Sequence, residues 1–81
     1  MDVVAVLGKN VRRFRLEAGL SQEQLAFEAD MKRSYVSDLE RGVRNPTVQA
    51  LGRLAAALKV EPYRLLEGGC APEGADQPAQ G

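Results

Sequence analysis

The chain has 81 residues, of which 44% are hydrophobic and 27% charged, with 11 basic and 11 acidic side chains and a formal net charge of zero. That length holds one domain at most, the composition is that of a folded globular protein, and the charge balance excludes a general polycation, so any phosphate-facing patch must be local. A single cysteine, Cys70, and no histidine exclude an internal disulfide, a Cys/His metal site and a histidine-based catalytic triad, so no enzymatic chemistry, metal, cofactor or small-molecule ligand is expected.

The apolar run 3–7 is too short for a signal peptide or a membrane span, and its charges follow rather than precede it. A cytoplasmic location with no membrane partner is therefore expected. The first helix is predicted over residues 3–18, with Asp2 at its N-cap, Leu7, Val11 and Phe14 on one face, and Gly19 at its end. Ser21 opens a second helix, with Gln24 in the capping-box position and Leu25, Ala26 and Ala29 facing inward. A break at 30–32 precedes a third helix over 33–41, closed by Gly42. After a loop at 43–46, Thr47 caps a fourth helix whose inner stripe is Leu51, Leu54, Ala55 and Leu58. Pro62 opens a short fifth helix carrying Tyr63, Leu65 and Leu66. Residues 68–81 hold four Gly and two Pro with no apolar period, and read as a disordered tail. The expected architecture is all-α: a compact five-helix domain over 1–67 followed by that tail.

Helices two and three are the informative pair. Ala26 is small where two steeply crossing helices must approach, and Leu25, Ala29, Met31, Val36 and Leu39 seal one helix on the other. Residues 22–41 thus carry the packing pattern of a DNA-binding helix-turn-helix. The stretch 20–58, LSQEQLAFEADMKRSYVSDLERGVRNPTVQALGRLAAAL, resembles the Cro/repressor (XRE-type) helix-turn-helix regulators, through SQEQLA, ERG, NPT and LAAAL in that order. The resemblance spans about residues 5–67 and implies a lambda-repressor-like fold. Within the family, RSYVSDLERGVRNP looks most like the controller proteins of restriction–modification systems. The chain departs from the family at the turn, where Asp30 stands in place of the usual glycine. The turn needs a left-handed backbone, which Asp tolerates better than most residues, so a positive φ is expected there.

On a helical wheel Val36 and Leu39 point inward, and Ser34, Ser37, Asp38 and Arg41 point away. Arg33 flanks the outer face at the N-terminal end of helix three, the part of a recognition helix that meets base edges. Candidate base contacts are therefore Arg33, Ser34, Tyr35, Ser37 and Asp38. Arginine can pair with guanine O6 and N7, and aspartate can accept from cytosine N4. Candidate phosphate contacts are Ser21 and Gln22 at the start of helix two, together with Lys32, Arg44 and Asn45, and less directly Arg12. The resemblance implies DNA contacts at Arg33, Ser34, Tyr35 and Arg44, a phosphate contact at Gln22, and an Arg15–Glu40 salt bridge between helices one and three. Other roles stay open. Tyr35 is half-buried packing or a contact; Asp38 reads a base, repels wrong sites, or orients Arg33 or Arg41; Arg41 faces the groove or complements its own helix end. Arg13 and Glu17 read as a solvated pair, Arg53, Lys59 and Arg64 as plain surface, and Cys70 as incidental.

One short recognition helix reads only a few base pairs, so a homodimer on a pseudo-palindromic operator is expected. Val60, Tyr63 and Leu66 are the candidate dimer residues, unless they close the monomer core instead. The expected function is a transcriptional regulator, either an autoregulator of its own operon such as a controller protein or a phage or plasmid repressor, partnered by double-stranded DNA and a second copy of itself, with no ligand-sensing part. The alternative is an antitoxin-like protein-interaction module on the same fold, against which stands the lack of apolar anchors in the tail.

Overall fold

The computed structural model describes residues 2–68; the tail expected over 68–81, with Cys70, lies outside the described residues apart from Gly68. Four α-helices follow one another: α1 (Val3–Glu17), α2 (Gln22–Glu28), α3 (Arg33–Glu40) and α4 (Val48–Leu58). A 3₁₀ segment, Pro62–Leu66, follows them, and there is no strand among the described residues. The expected fifth helix is thus corrected to one tight turn. Five residues cannot repay the nucleation of an α-helix, and at Glu67 the backbone is already extended (φ −64°, ψ 124°).

Three of the four helices start where a side chain replaces their missing acceptors. Asp2 accepts from the backbone N–H of Val4 and Ala5, and Thr47 accepts from Ala50. Ser21 and Gln24 cap one another reciprocally: Gln24 N–H donates to Ser21 Oγ at 3.0 Å, and Ser21 N–H donates to Gln24 Oε1 at 2.8 Å. Lys32, before α3, supplies no side-chain cap.

All four helices end alike. One residue turns left-handed, and its own N–H and that of the next residue fold back onto the last turn. The turning residues are Gly19, Asp30, Gly42 and Lys59, at φ of 74°, 58°, 76° and 61°. The accompanying bonds include Leu20 N–H to Arg15 O, Met31 N–H to Ala26 O, Val43 N–H to Asp38 O and Val60 N–H to Ala55 O. Asp30 has the positive φ expected of it; Lys59 was not expected to have one.

The core collects Leu7, Val11 and Phe14 from α1, Leu25, Ala26 and Ala29 from the α2 region, Val36 and Leu39 from α3, and Leu54, Ala55 and Leu58 from α4, with Leu65 from the 3₁₀ segment. Leu51, expected inside, is only half-buried. Two features, one polar and one steric, fix the arrangement. Buried Asn10 donates through Nδ2 to Leu65 O (2.8 Å) and Glu67 O (2.9 Å), tying the end of the domain to α1. Gly8 lets α1 lie against the end of α3: a Cβ there would overlap Leu39 O and sit 3.1 Å from Glu40 O.

Candidate nucleic-acid interface

The inner side of α3 is held by a three-helix node. Arg15 on α1 donates from Nε to Glu40 Oε2 at 2.6 Å and from Nη2 to Oε1 at 3.0 Å, and its Nη1 reaches Leu20 O at 2.9 Å. Gln22 on α2 adds a third donor, Nε2 to Glu40 Oε1 at 3.1 Å. The Arg15 and Glu40 side chains are 9% and 4% exposed. A two-point guanidinium–carboxylate pair at that burial fixes orientation more than it adds net stability. The Gln22 amide, expected at a phosphate, is thus engaged with Glu40 in the free protein, and the Ser21 N–H is taken up by the capping box.

The outer side of α3 is organised differently along its length. Lys32, Arg33 and Ser34 are exposed at the first turn, and among the described residues neither Arg33 nor Lys32 has an ion-pair partner. One turn later Ser37 and Asp38 are half-buried. Asp38 accepts from Arg41 Nη1 at 3.2 Å and from Arg44 Nη2 at 3.4 Å, so it holds Arg41 and Arg44; Arg33 is not among its partners. The Arg44 guanidinium also lies over the Tyr35 ring, 4.7 Å from its centroid, a cation–π distance. Tyr35 is half-buried and packs on the core, leaving its ring face for Arg44.

Between the α2–α3 turn and the start of α4 runs an open groove of about 490 Å³, lined by Lys32, Ser34, Tyr35, Arg44, Thr47 and Arg53 among others. Asn45 is exposed in the adjoining loop. Arg12 is exposed on α1, beside Lys9 and Arg13, at a separate shallow surface. Arg13 and Glu17 lie 3.7 Å apart and are half-exposed. Arg53 is not plain surface: its Nε donates to Ala29 O at 3.1 Å, satisfying a carbonyl at the end of α2. Arg64 pairs with Glu67 and lies 5.2 Å from the Phe14 ring centroid. The Ala29 carbonyl and the Phe14 ring reach these arginines only through tertiary packing, whereas the Arg64–Glu67 pair is local.

Of the dimer candidates, Tyr63 and Leu66 are exposed, three residues apart on the 3₁₀ segment. Val60 packs on the core, and Tyr63 is 63% exposed. Leu66 borders an apolar groove of about 170 Å³ with Val3, Val4, Leu7, Pro46, Val48 and Leu51, which Tyr63 does not line. Val48 is 85% exposed there. Its position outside the inner stripe of α4 was the only hint of it in the sequence. Among the described residues, no cluster of three metal-ligating side chains and no helix long and apolar enough to cross a membrane is found.

A buried node that sets the angle of α3, with free donors on its outer first turn, defines a helix-turn-helix. A helix-turn-helix family model matches residues 11–65, and the chain belongs to that family. The chain is similar to the control protein C.BamHI of Bacillus amyloliquefaciens, 44% identical over 67 residues that make up 82% of this chain and 83% of that protein. It is also 42% identical to the control protein C.SmaI of Serratia marcescens, over 82% of this chain and 79% of that one. Its fold superposes on the crystal structure of the restriction-modification controller protein C.AhdI of Aeromonas hydrophila with a TM-score of 0.75 and 44% identity, covering 76% of this chain and 94% of that one. The chain is a DNA-binding transcriptional regulator, from a family of regulators rather than enzymes.

Proposed function

We propose that the protein binds as a homodimer to a pseudo-palindromic operator and controls its own operon, in the manner of a restriction–modification controller protein. The observation that carries this reading is the outer first turn of α3, where Lys32, Arg33 and Ser34 stand exposed on a helix whose inner side is locked by the Arg15–Glu40–Gln22 node. Arg33, Ser34, Tyr35, Ser37 and Asp38 are the proposed base-facing set. Ser21, Gln22, Lys32, Arg44 and Asn45 flank it as phosphate-facing residues, Gln22 by exchanging Glu40 for a phosphate.

An eight-residue α3 reaches only a few base pairs, so useful specificity calls for two copies, with recognition helices about 34 Å apart. The second copy is proposed to pack on Val60, Tyr63 and Leu66 and to cover the apolar groove that Leu66 shares with Val48 and Leu51. A cytoplasmic site of action follows from a duplex DNA target.

Selection of bound duplexes from a random pool, with light scattering on the protein alone, tests the proposal. An inverted repeat with half-sites about one helical turn apart, and a mass twice the monomer's at micromolar protein, are expected. A single unrepeated motif bound by a monomer at every concentration would sink it.

A further inference from the structure

We propose that Asp38 sets the specificity of the interface by holding Arg41 and Arg44 in the free protein and yielding them only to a duplex that offers its carboxylate an amino group. Both oxygens of this one carboxylate are engaged, Oδ1 with Arg41 and Oδ2 with Arg44. The backbone of the same residue anchors the loop that carries Arg44, since Val43 N–H donates to Asp38 O at 3.1 Å. Arg44 is further confined by the Tyr35 ring beneath it. Asp38 is therefore the centre of a small cluster that includes both arginines of this end of the interface.

The cluster is exchangeable. The side chains of Asp38, Arg41 and Arg44 are 30%, 66% and 45% exposed, and ion pairs this accessible hold their partners by a factor of roughly 1.5 to 5 each. A phosphate is a strong competing acceptor for either arginine. Releasing them leaves Asp38 as an unpaired anion facing a polyanion. That position is repaired by cytosine N4 or adenine N6, the two amino donors that line the major groove. On a duplex with no such donor in register, the arginines stay with Asp38 and binding through them is suppressed. The neutral net charge of the chain is consistent with this, because little general attraction to DNA offsets the suppression. Arg33, which Asp38 does not engage, is free of this control.

The inference rests on the DNA-binding function, and the experiment separates the two. Binding of the full chain to a random-sequence duplex and to a selected operator duplex is followed by fluorescence anisotropy across a salt series. The proteins compared are the unaltered chain, Asp38→Ala, Asp38→Asn, Arg44→Ala and the Asp38→Ala/Arg44→Ala double variant. Both Asp38 variants should bind the random duplex about three- to tenfold more tightly, with a log–log salt slope steeper by about 0.9 for each arginine released to phosphate. The gain should shrink in the Arg44→Ala background. Preference for cytosine or adenine at one position per half-site should be lost with Asp38→Ala. Random-duplex affinity and slope that stay level or fall in both Asp38 variants, or a gain undiminished without Arg44, overturn the inference. Failure of the unaltered protein to bind either duplex overturns the function itself, and this inference with it.

Discussion

The two faces of α3 obey opposite rules. On the inner face every group has a specific partner: Val36 and Leu39 are fully buried, Glu40 takes three donors, and the Leu39 and Glu40 carbonyls press on Gly8. On the outer face the first turn carries Lys32 and Arg33 without ion-pair partners, and the second carries pairs open to solvent. One eight-residue helix is thus a fixed strut on one side and a set of exchangeable donors on the other. The fold's precision is concentrated on the inner side, and it supplies the rigid support on which a small reading surface depends.

That division is open to direct attack, beginning with the node. Arg15→Ala leaves Glu40 buried with only Gln22 as donor, and breaking a pair this buried costs about 3–5 kcal/mol. For a domain of this size the melting temperature should fall by roughly 12 °C or more in a calorimetric or circular-dichroism melt. A drop of only a degree or two would show that the node does not support α3. Gly8→Ala comes next. Better helix propensity is worth about 1 kcal/mol, but the new methyl meets backbone carbonyls that cannot move aside, and overpacking costs about 1–3 kcal/mol or more. A net loss of about 1–2 kcal/mol is expected in urea unfolding, and a gain would mean that α1 shifts freely on α3. DNA binding by the folded fraction of either variant should weaken through the angle of α3, not through any lost contact.

The outer face should behave in reverse. Arg33→Ala should leave the melting temperature within about 2–4 °C, since the side chain has no ion-pair partner to lose. Operator affinity should fall by about 1–3 kcal/mol, with specificity relaxed at one base pair per half-site. A uniform loss on all sequences would reassign Arg33 to phosphate. A large loss of stability would erase the distinction between the two faces.

The same distinction marks what could be read from the sequence. Local rules did well: the caps at Asp2, Ser21 and Thr47 and the turns at Gly19, Asp30 and Gly42 are where residue type and spacing placed them, because each depends on neighbours within a few positions. The apolar stripes of α1 to α3 likewise became the core. What escaped depends on partners brought close only by folding. Asn10 reaches carbonyls 55 and 57 residues away, Arg53 reaches Ala29, and Gly8 looks like a weak point of a helix until α3 is laid across it. At the interface, residue type indicated Arg33 and Asp38 as outward-facing. It could not tell which arginines the carboxylate holds, since Arg44 lies beyond the helix, on a loop whose path is set by Gly42 and Val43.

The smallest effect concerns the four helix ends, which share one geometry but not one residue type. Gly19 and Gly42 adopt it without a Cβ, whereas Asp30 and Lys59 carry one into the left-handed region, where a side chain costs about 1–2 kcal/mol. Glycine there relieves that strain but adds freedom to the unfolded chain, which returns about 0.5–1 kcal/mol. Aspartate as a residue type tolerates the left-handed region better than lysine does. Lys59→Gly should therefore stabilise the protein by up to about 1 kcal/mol, and Asp30→Gly by less, both read as shifts in the urea midpoint. Lys59→Gly, at the far end of α4, should not alter operator affinity measurably. For Asp30 any change in affinity would be informative, because this turn sets where Lys32 and Arg33 begin the recognition helix. A gain in stability with weakened binding would show that the aspartate holds the first turn of the reading surface in place, and that the strut and the donors meet at this residue.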